Sequence, residues 1–190
     1  MARSVREQMV DSAVILLATR GLDGTSFSEV LGASGAPRGS IYHHFPGGKD
    51  ELIAAAIEVA GERAVALLRS LEGRSPVEIV DGFFAMWRAV LERSRFSAGC
   101  SVLAVTVAGG SGDADGLLGA AGRVFRSWQS ALAAVLAAGG VPAGAAEPFA
   151  TLLIAASEGA VALSRAERSY EPFDAVHQVL REQARGFQGI

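Results

Sequence analysis

The sequence predicts an all-α chain, and three observations carry that reading. Apolar residues recur at intervals of three and four along most of its length. Ser-x-x-Glu pairs stand where such runs begin, and Gly or Pro stands where they stop. No segment alternates polar with β-branched residues over the length of a strand.

The first helix opens at Ser4-Val5-Arg6-Glu7, a capping box in which each side chain satisfies the other residue's amide. Val5, Met9, Ala13, Leu16 and Leu17 follow at helical spacing, and Gly21 supplies a left-handed stop. The same box recurs as Ser26-Phe27-Ser28-Glu29 and starts a short helix that Gly35 closes. Pro37 opens a third, from Arg38 to about Phe45, since the first helical position has no amide to lose. Pro46-Gly47-Gly48 ends it, and a long alanine-rich helix runs from Lys49 to about Leu71. Ile79, Phe83, Trp87 and Leu91 then mark one apolar stripe between Pro76 and Arg95. Ser101 to Ala108 is a short uncharged helix, followed by a flexible loop at Gly109-Gly110-Ser111-Gly112-Asp113. Leu117, Ala121, Val124, Trp128, Leu132 and Val135 define the next helix, stopped by Gly139-Gly140. One more begins at Ala143 or Glu147 and reaches Arg168, and a last takes Phe173, Val176, Val179, Leu180 and Phe187.

Composition bounds the class. With 190 residues, half of them hydrophobic and 19% charged, the chain can bury a core without cross-links, and disorder is excluded. A single cysteine, Cys100, excludes an internal disulfide and a thiolate zinc site, and reads as an intracellular, cytoplasmic protein. The charged start ARSVREQ lacks the apolar centre of a signal peptide. Ser127 to Ala146 is long enough and uncharged enough to span a bilayer, but Gly139, Gly140, Pro142 and Gly144 interrupt it. We read it as a buried helix and a turn, with no membrane partner.

Charge placement says more than net charge. The first 49 residues hold five basic and four acidic side chains, against 12 and 16 in the rest. Between Val30 and Lys49 there is no acid at all. Two short helices joined by the Gly-containing turn Ala33-Ser34-Gly35-Ala36 form a helix-turn-helix, whose second helix enters the DNA major groove. Arg38, Ser40, Tyr42, His43 and His44 give that helix donors without carboxylates, as a surface facing phosphates requires. Gly39 permits a close backbone approach, and Lys49 stands at the next helix N-terminus, where free amides attract phosphate.

The run Gly35-Ala36-Pro37-Arg38-Gly39-Ser40-Ile41-Tyr42-His43-His44-Phe45, with Lys49-Asp50-Glu51-Leu52 after it, resembles the signature of the TetR family of bacterial transcriptional regulators. The resemblance spans about residues 5 to 55. It implies a three-helix DNA-binding domain at residues 1–48 and a larger helical ligand-binding and dimerisation domain at 49–190. It further implies a homodimeric repressor on double-stranded palindromic operator DNA, released by a small lipophilic or aromatic effector, with no cofactor. Carried onto matching positions, Arg38, Gly39, Ser40 and His43 contact bases or backbone, Thr25, Ser26, Tyr42 and Lys49 hold phosphates, and Ile41 and Phe45 pack inward. Pro37 replaces a Ser or Thr common in the family, removing a side-chain cap, and the glycine pair before Lys49 adds a residue. Gly99-Cys100-Ser101-Val102 resembles the ligand domain of a subgroup regulating lincomycin-resistance and multidrug-efflux genes.

Phe83, Trp87, Cys100, Leu103, Phe125, Trp128 and Glu158 are the candidate ligand-binding residues. Aromatic stripes at helical spacing are core by default, but several in a domain poor in large side chains point to a cavity with apolar walls. Thr151, Glu158 and Arg165 recur at intervals of seven; a solvated or inter-subunit stripe is the primary reading, and Glu158 as a pocket anchor the secondary one. The last two helices, about 147 to 187, carry the expected dimer interface. Adjacent His43 and His44 point about 100° apart on a helix and have no third ligand near them, so no metal site is expected. An enzyme is disfavoured, since two of only three histidines fall in the DNA helix and no nucleophile has a paired base. The alternative function is an all-helical carrier of lipophilic molecules that never engages DNA.

Overall fold

Capping chemistry sets the first boundaries. In the computed structural model, which describes residues 4–108 and 114–187, Ser4 Oγ accepts from the Glu7 amide at 3.2 Å. The Glu7 carboxylate accepts from the Ser4 amide at 2.7 Å, and α1 runs Val5–Arg20 with its box closed. It stops at Gly21, whose φ of 72° and ψ of −174° lie in a glycine-only region rather than the left-handed helical one expected. α2 spans Phe27–Ser34. Ser26 accepts from the Glu29 amide at 3.2 Å, but the Glu29 carboxylate pairs with Arg20. Gly35, at φ 69° and ψ 12°, closes α2 in the left-handed conformation. Gly35→Ala should therefore cost about 1–2 kcal/mol in urea unfolding, a loss the Gly21→Ala variant should at least match.

The third helix is shorter than the sequence suggests. Pro37, Arg38 and Gly39 form a tight turn in which the Pro37 carbonyl accepts from the Ser40 amide at 3.0 Å and from its hydroxyl at 2.6 Å. α3 accordingly covers Ser40–His44, with Gly39 at its cap and no side-chain cap bond. Arg38 and Gly39 thus stand on the turn before the helix rather than on it.

Six further helices follow: α4 Lys49–Arg69, α5 Pro76–Ser94, α6 Ser101–Thr106, α7 Ala114–Ala138, α8 Ala143–Glu167 and α9 Glu171–Gly186. No strand occurs among the described residues. The loop read at Gly109 to Asp113 lies outside them. Gly139 and Gly140 break the uncharged Ser127–Ala146 stretch between α7 and α8. α8 takes the earlier of its two expected starts, with Pro148 inside it. By length and composition α8 could cross a membrane, yet half of its most apolar window is buried within the protein; it is a core helix.

A second closed box, unread in the sequence, starts α5. Ser75 Oγ accepts from the Glu78 amide at 3.4 Å and the Ser75 amide donates to Glu78 at 2.9 Å. The Ser75 hydroxyl and amide hold the Glu78 carboxyl below its usual value of 4.5. Because the folded-state value is depressed, the stability this contributes is present at neutral pH and is lost as pH falls through the depressed value. Glu78→Gln should flatten that part of the acid-unfolding profile, followed by circular dichroism.

The chain forms two compact units, Met1–Glu62 with Cys100–Phe125 and Arg63–Gly99 with Arg126–Ile190. In the first, Met9, Leu17, Val30, Ile41, Phe45 and Ile53 are fully buried, and α6 packs on α1. In the second, α5, α8 and α9 pack on one another around Phe84, Leu91, Leu153 and Phe173. A polar tie joins α5 to α9. Arg181 Nε donates to both Asp81 oxygens at 2.9 and 3.0 Å, and His177 Nε2 lies 2.8 Å from Asp81 Oδ1. The His177 ring stacks on Phe84 at 4.7 Å, and Arg88 pairs with Asp174.

Candidate nucleic-acid interface

Helix α3 has two faces of different chemistry. Ile41 and Phe45, four residues apart, are both 0% exposed, which fixes the roll of the helix against the core. Tyr42 is turned outward, 70% exposed. Its ring meets Phe27 of α2 edge-on, with centroids 5.5 Å apart, so the aromatic contact sets the tilt between α2 and α3 while the hydroxyl faces solvent. Arg38, Gly39 and His43 are exposed, and Ser40 and His44 are half-buried. The Arg6 guanidinium lies 5.2 Å from the centre of the Phe45 ring, bracing α3 from α1.

Electrostatics favour an anion here. Among the described residues nothing pairs with the Arg38 guanidinium, and no carboxylate is present from Val30 to Gly48. Two flanking acids are committed elsewhere: Glu29 to Arg20, and Glu51 to the Gly47 amide at 2.7 Å. Lys49, the first residue of α4, donates from Nζ to the Leu22 carbonyl at 2.9 Å, which leaves two ammonium N–H groups for a phosphate.

Thr25 stands differently from the expectation. It is 1% exposed, and its hydroxyl donates to the Gly21 carbonyl at 2.8 Å. Its side chain braces the α1–α2 turn, and a phosphate could reach it only by displacing that bond and its cover. Ser26, half-buried, caps α2 and shares its hydroxyl with Ser28 at 2.8 Å. Sequence reasoning missed Phe27 and Arg6 as supports. Their signal is spatial, since neither lies next to its aromatic partner in the chain.

The candidate ligand residues fall in both compact units. Cys100, Leu103 and Phe125 belong to the first, where Cys100 Sγ caps α6 by accepting from the Leu103 amide at 3.3 Å. Phe83, Trp87, Trp128 and Glu158 belong to the second; Phe83, Trp128 and Glu158 are buried and Trp87 half-buried. The stripe at Thr151, Glu158 and Arg165 is not a solvated face. Only Thr151 is exposed, Glu158 is 8% exposed, and Arg165 donates to the Ser97 carbonyl at 3.2 Å. A groove of about 650 Å³ in the second unit runs between α4 and α7, lined by Val65, Arg69, Glu72, Ser127, Ser130, Ala131 and Ala134.

Comparison with known proteins bears on this surface. Residues 9–63 match the sequence pattern described as bacterial regulatory proteins, tetR family. Residues 76–179 match the C-terminal domain of LmrA/YxaF-like transcriptional regulators. Over 180 residues, 93% of this chain and 92% of the relative, the chain is 39% identical to the HTH-type transcriptional regulator Rv0196 of Mycobacterium tuberculosis. It is 29% identical over 171 residues to the regulator YxaF of Bacillus subtilis, covering 88% of each. The fold is that of a regulatory protein TetR from Rhodobacter sphaeroides, with a TM-score of 0.83 at 22% identity over 94% of this chain and 97% of that one.

Proposed function

The chain belongs to the TetR family of transcriptional regulators, and from that premise we propose a cytoplasmic homodimeric repressor that binds a palindromic operator and is released by a small lipophilic or aromatic effector. Reading of DNA falls to residues 1–48, and effector binding and dimerisation to 49–190. One observation carries the proposal: an acid-free surface of Arg38, Gly39, Tyr42 and His43, exposed on a frame locked by buried Ile41 and Phe45. Arg38, Gly39, Ser40 and His43 reach bases or backbone, while Ser26, Tyr42 and Lys49 hold phosphates, with Thr25 positioning Ser26.

The second copy docks on α8 and α9. Leu152 and Leu163 on α8 and Val179 on α9 are 42%, 53% and 67% exposed, large apolar side chains that a partner would cover. In such a dimer the two recognition helices must stand about 34 Å apart, or a near multiple, to enter successive major grooves. An effector preferring another separation shifts the population away from the DNA-bound form, and operator DNA must weaken effector binding by the same factor. Phe83, Trp87, Trp128 and Glu158 of the second unit are proposed effector contacts, and the same role is proposed separately for Cys100, Leu103 and Phe125 of the first.

Genomic fragment selection followed by anisotropy titration tests this reading. A palindromic fragment should be retained, with log affinity falling against log salt at a slope of about −5 if some six phosphates are neutralised. No retained fragment, together with binding of small apolar compounds, would favour the carrier instead.

A further inference from the structure

The motif Gly99-Cys100-Ser101-Val102 has no role in the reading above beyond Cys100, and its first residue has an unexpected neighbour. Arg165, near the end of α8, donates from Nη2 to the Ser97 carbonyl at 3.2 Å. A Cβ added to Gly99 would come within 2.6 Å of Arg165 Nη1. Gly99 is not among the glycines of positive φ, so a side chain there meets no backbone strain but would have to displace the guanidinium. The Arg165 Nε is buried without a hydrogen-bond partner, an uncompensated cost of placing the guanidinium at this point.

The segment so held is under strain from its other end. Arg95 and Phe96 both adopt positive φ, 51° and 65°, which residues with side chains seldom do. Phe96 has a neighbour that holds it there: its ring lies 4.7 Å from Tyr170, and the Arg88 guanidinium lies 4.6 Å from the centre of the Tyr170 ring. All of these residues belong to the second unit. One peptide bond beyond Gly99 the first unit resumes, with Cys100 capping α6 and α6 packed on α1.

We propose that Arg165 is a positioning residue that clamps the Ser97–Gly99 main chain, that Gly99 is glycine because the guanidinium occupies the place of its side chain, and that the clamp couples α8 to α6. Resting on the function proposed above, this makes the clamp the route by which a change at the α8 interface reaches the helix supporting α1. The covalent chain supplies the link: the clamp holds the last three residues before the α6 cap.

Hydrogen exchange of the full chain, read by mass spectrometry, tests the clamp without DNA or effector. Arg165→Ala should speed exchange of the amides at 103–106 about tenfold or more, leaving those of α9 unchanged. Gly99→Ala should do the same, because its methyl displaces only the far end of a flexible side chain. Arg165→Lys, which keeps the charge and loses the planar fork, should behave like the alanine variant. The double variant should be no faster than either single one, since both remove one interaction. Unchanged exchange in α6, an increase spread evenly over α5, α8 and α9, or additive single effects would each overturn the proposal. A second arm measures affinity for the selected palindrome, which should change about tenfold in Arg165→Ala. Faster α6 exchange with wild-type operator affinity and effector response would overturn the coupling. Absence of any DNA binding by the wild type would instead remove the proposed function and leave the exchange result standing.

Discussion

Arg38→Ala should lower operator affinity by about 30-fold to more than 10⁴-fold, with little change in fold. An arginine reaching base edges contributes about 1–3 kcal/mol, and a symmetric dimer loses the contact twice, about 2–6 kcal/mol in all. The folded protein forfeits little, because Arg38 is exposed and outside every described ion pair; surface changes of that kind stay within about 0.5 kcal/mol. Anisotropy titration at fixed salt, beside a urea melt, separates the two quantities. Tyr42→Ala should instead weaken all sequences alike and leave the salt slope nearly unchanged, because a neutral hydroxyl on a phosphate displaces no counterion. Affinity unchanged in Arg38→Ala would remove that side chain from the interface.

Phe45→Ala should destabilise the chain by about 3–5 kcal/mol, the range for emptying an aromatic from a packed core. Phe45 is 0% exposed, its amide closes the end of α3 by donating to the Ile41 carbonyl at 2.8 Å, and its ring carries the Arg6 guanidinium. The lost packing and the orphaned cation act together, while the backbone bond to Ile41 remains, so operator affinity should fall with stability. The adjacent His44→Ala should be close to neutral in urea, since His44 is half-buried and is no part of the inward pair. Equal stability losses at positions 44 and 45 would show that α3 is not held through Phe45.

The helix ends were legible because their signals are local. Ser4 and Glu7 lie three residues apart, and so do Ser26 and Glu29. Where a distant partner intervenes, the same local rule fails: the Glu29 carboxylate goes to Arg20, nine residues away, so only half of its box closes. The start of α3 was misplaced because Pro37 permits two geometries, a first helical turn or a separate tight one, and Ser40's hydroxyl stabilises the second. Thr25 looked like a phosphate ligand by position, yet whether its hydroxyl faces solvent depends on the Gly21 carbonyl and the surrounding cover. The α5–α9 tie left no trace in the sequence, since Asp81 and Arg181 are 100 residues apart. For the same reason the solvated reading of the stripe at Thr151, Glu158 and Arg165 fails at Glu158, which is 8% exposed: what surrounds a helix face is not written on that face.

The division of α3 and its flanking residues into inward Ile41 and Phe45 and outward Arg38, Gly39, Tyr42 and His43 has an evolutionary corollary. Under the proposed function, foldedness and preference for a base sequence fall to separate sets of positions, so the outward set can drift toward a new binding site while the scaffold keeps its stability. A gene duplicate could thus acquire a different target through few substitutions, none of which need pass through an unfolded intermediate.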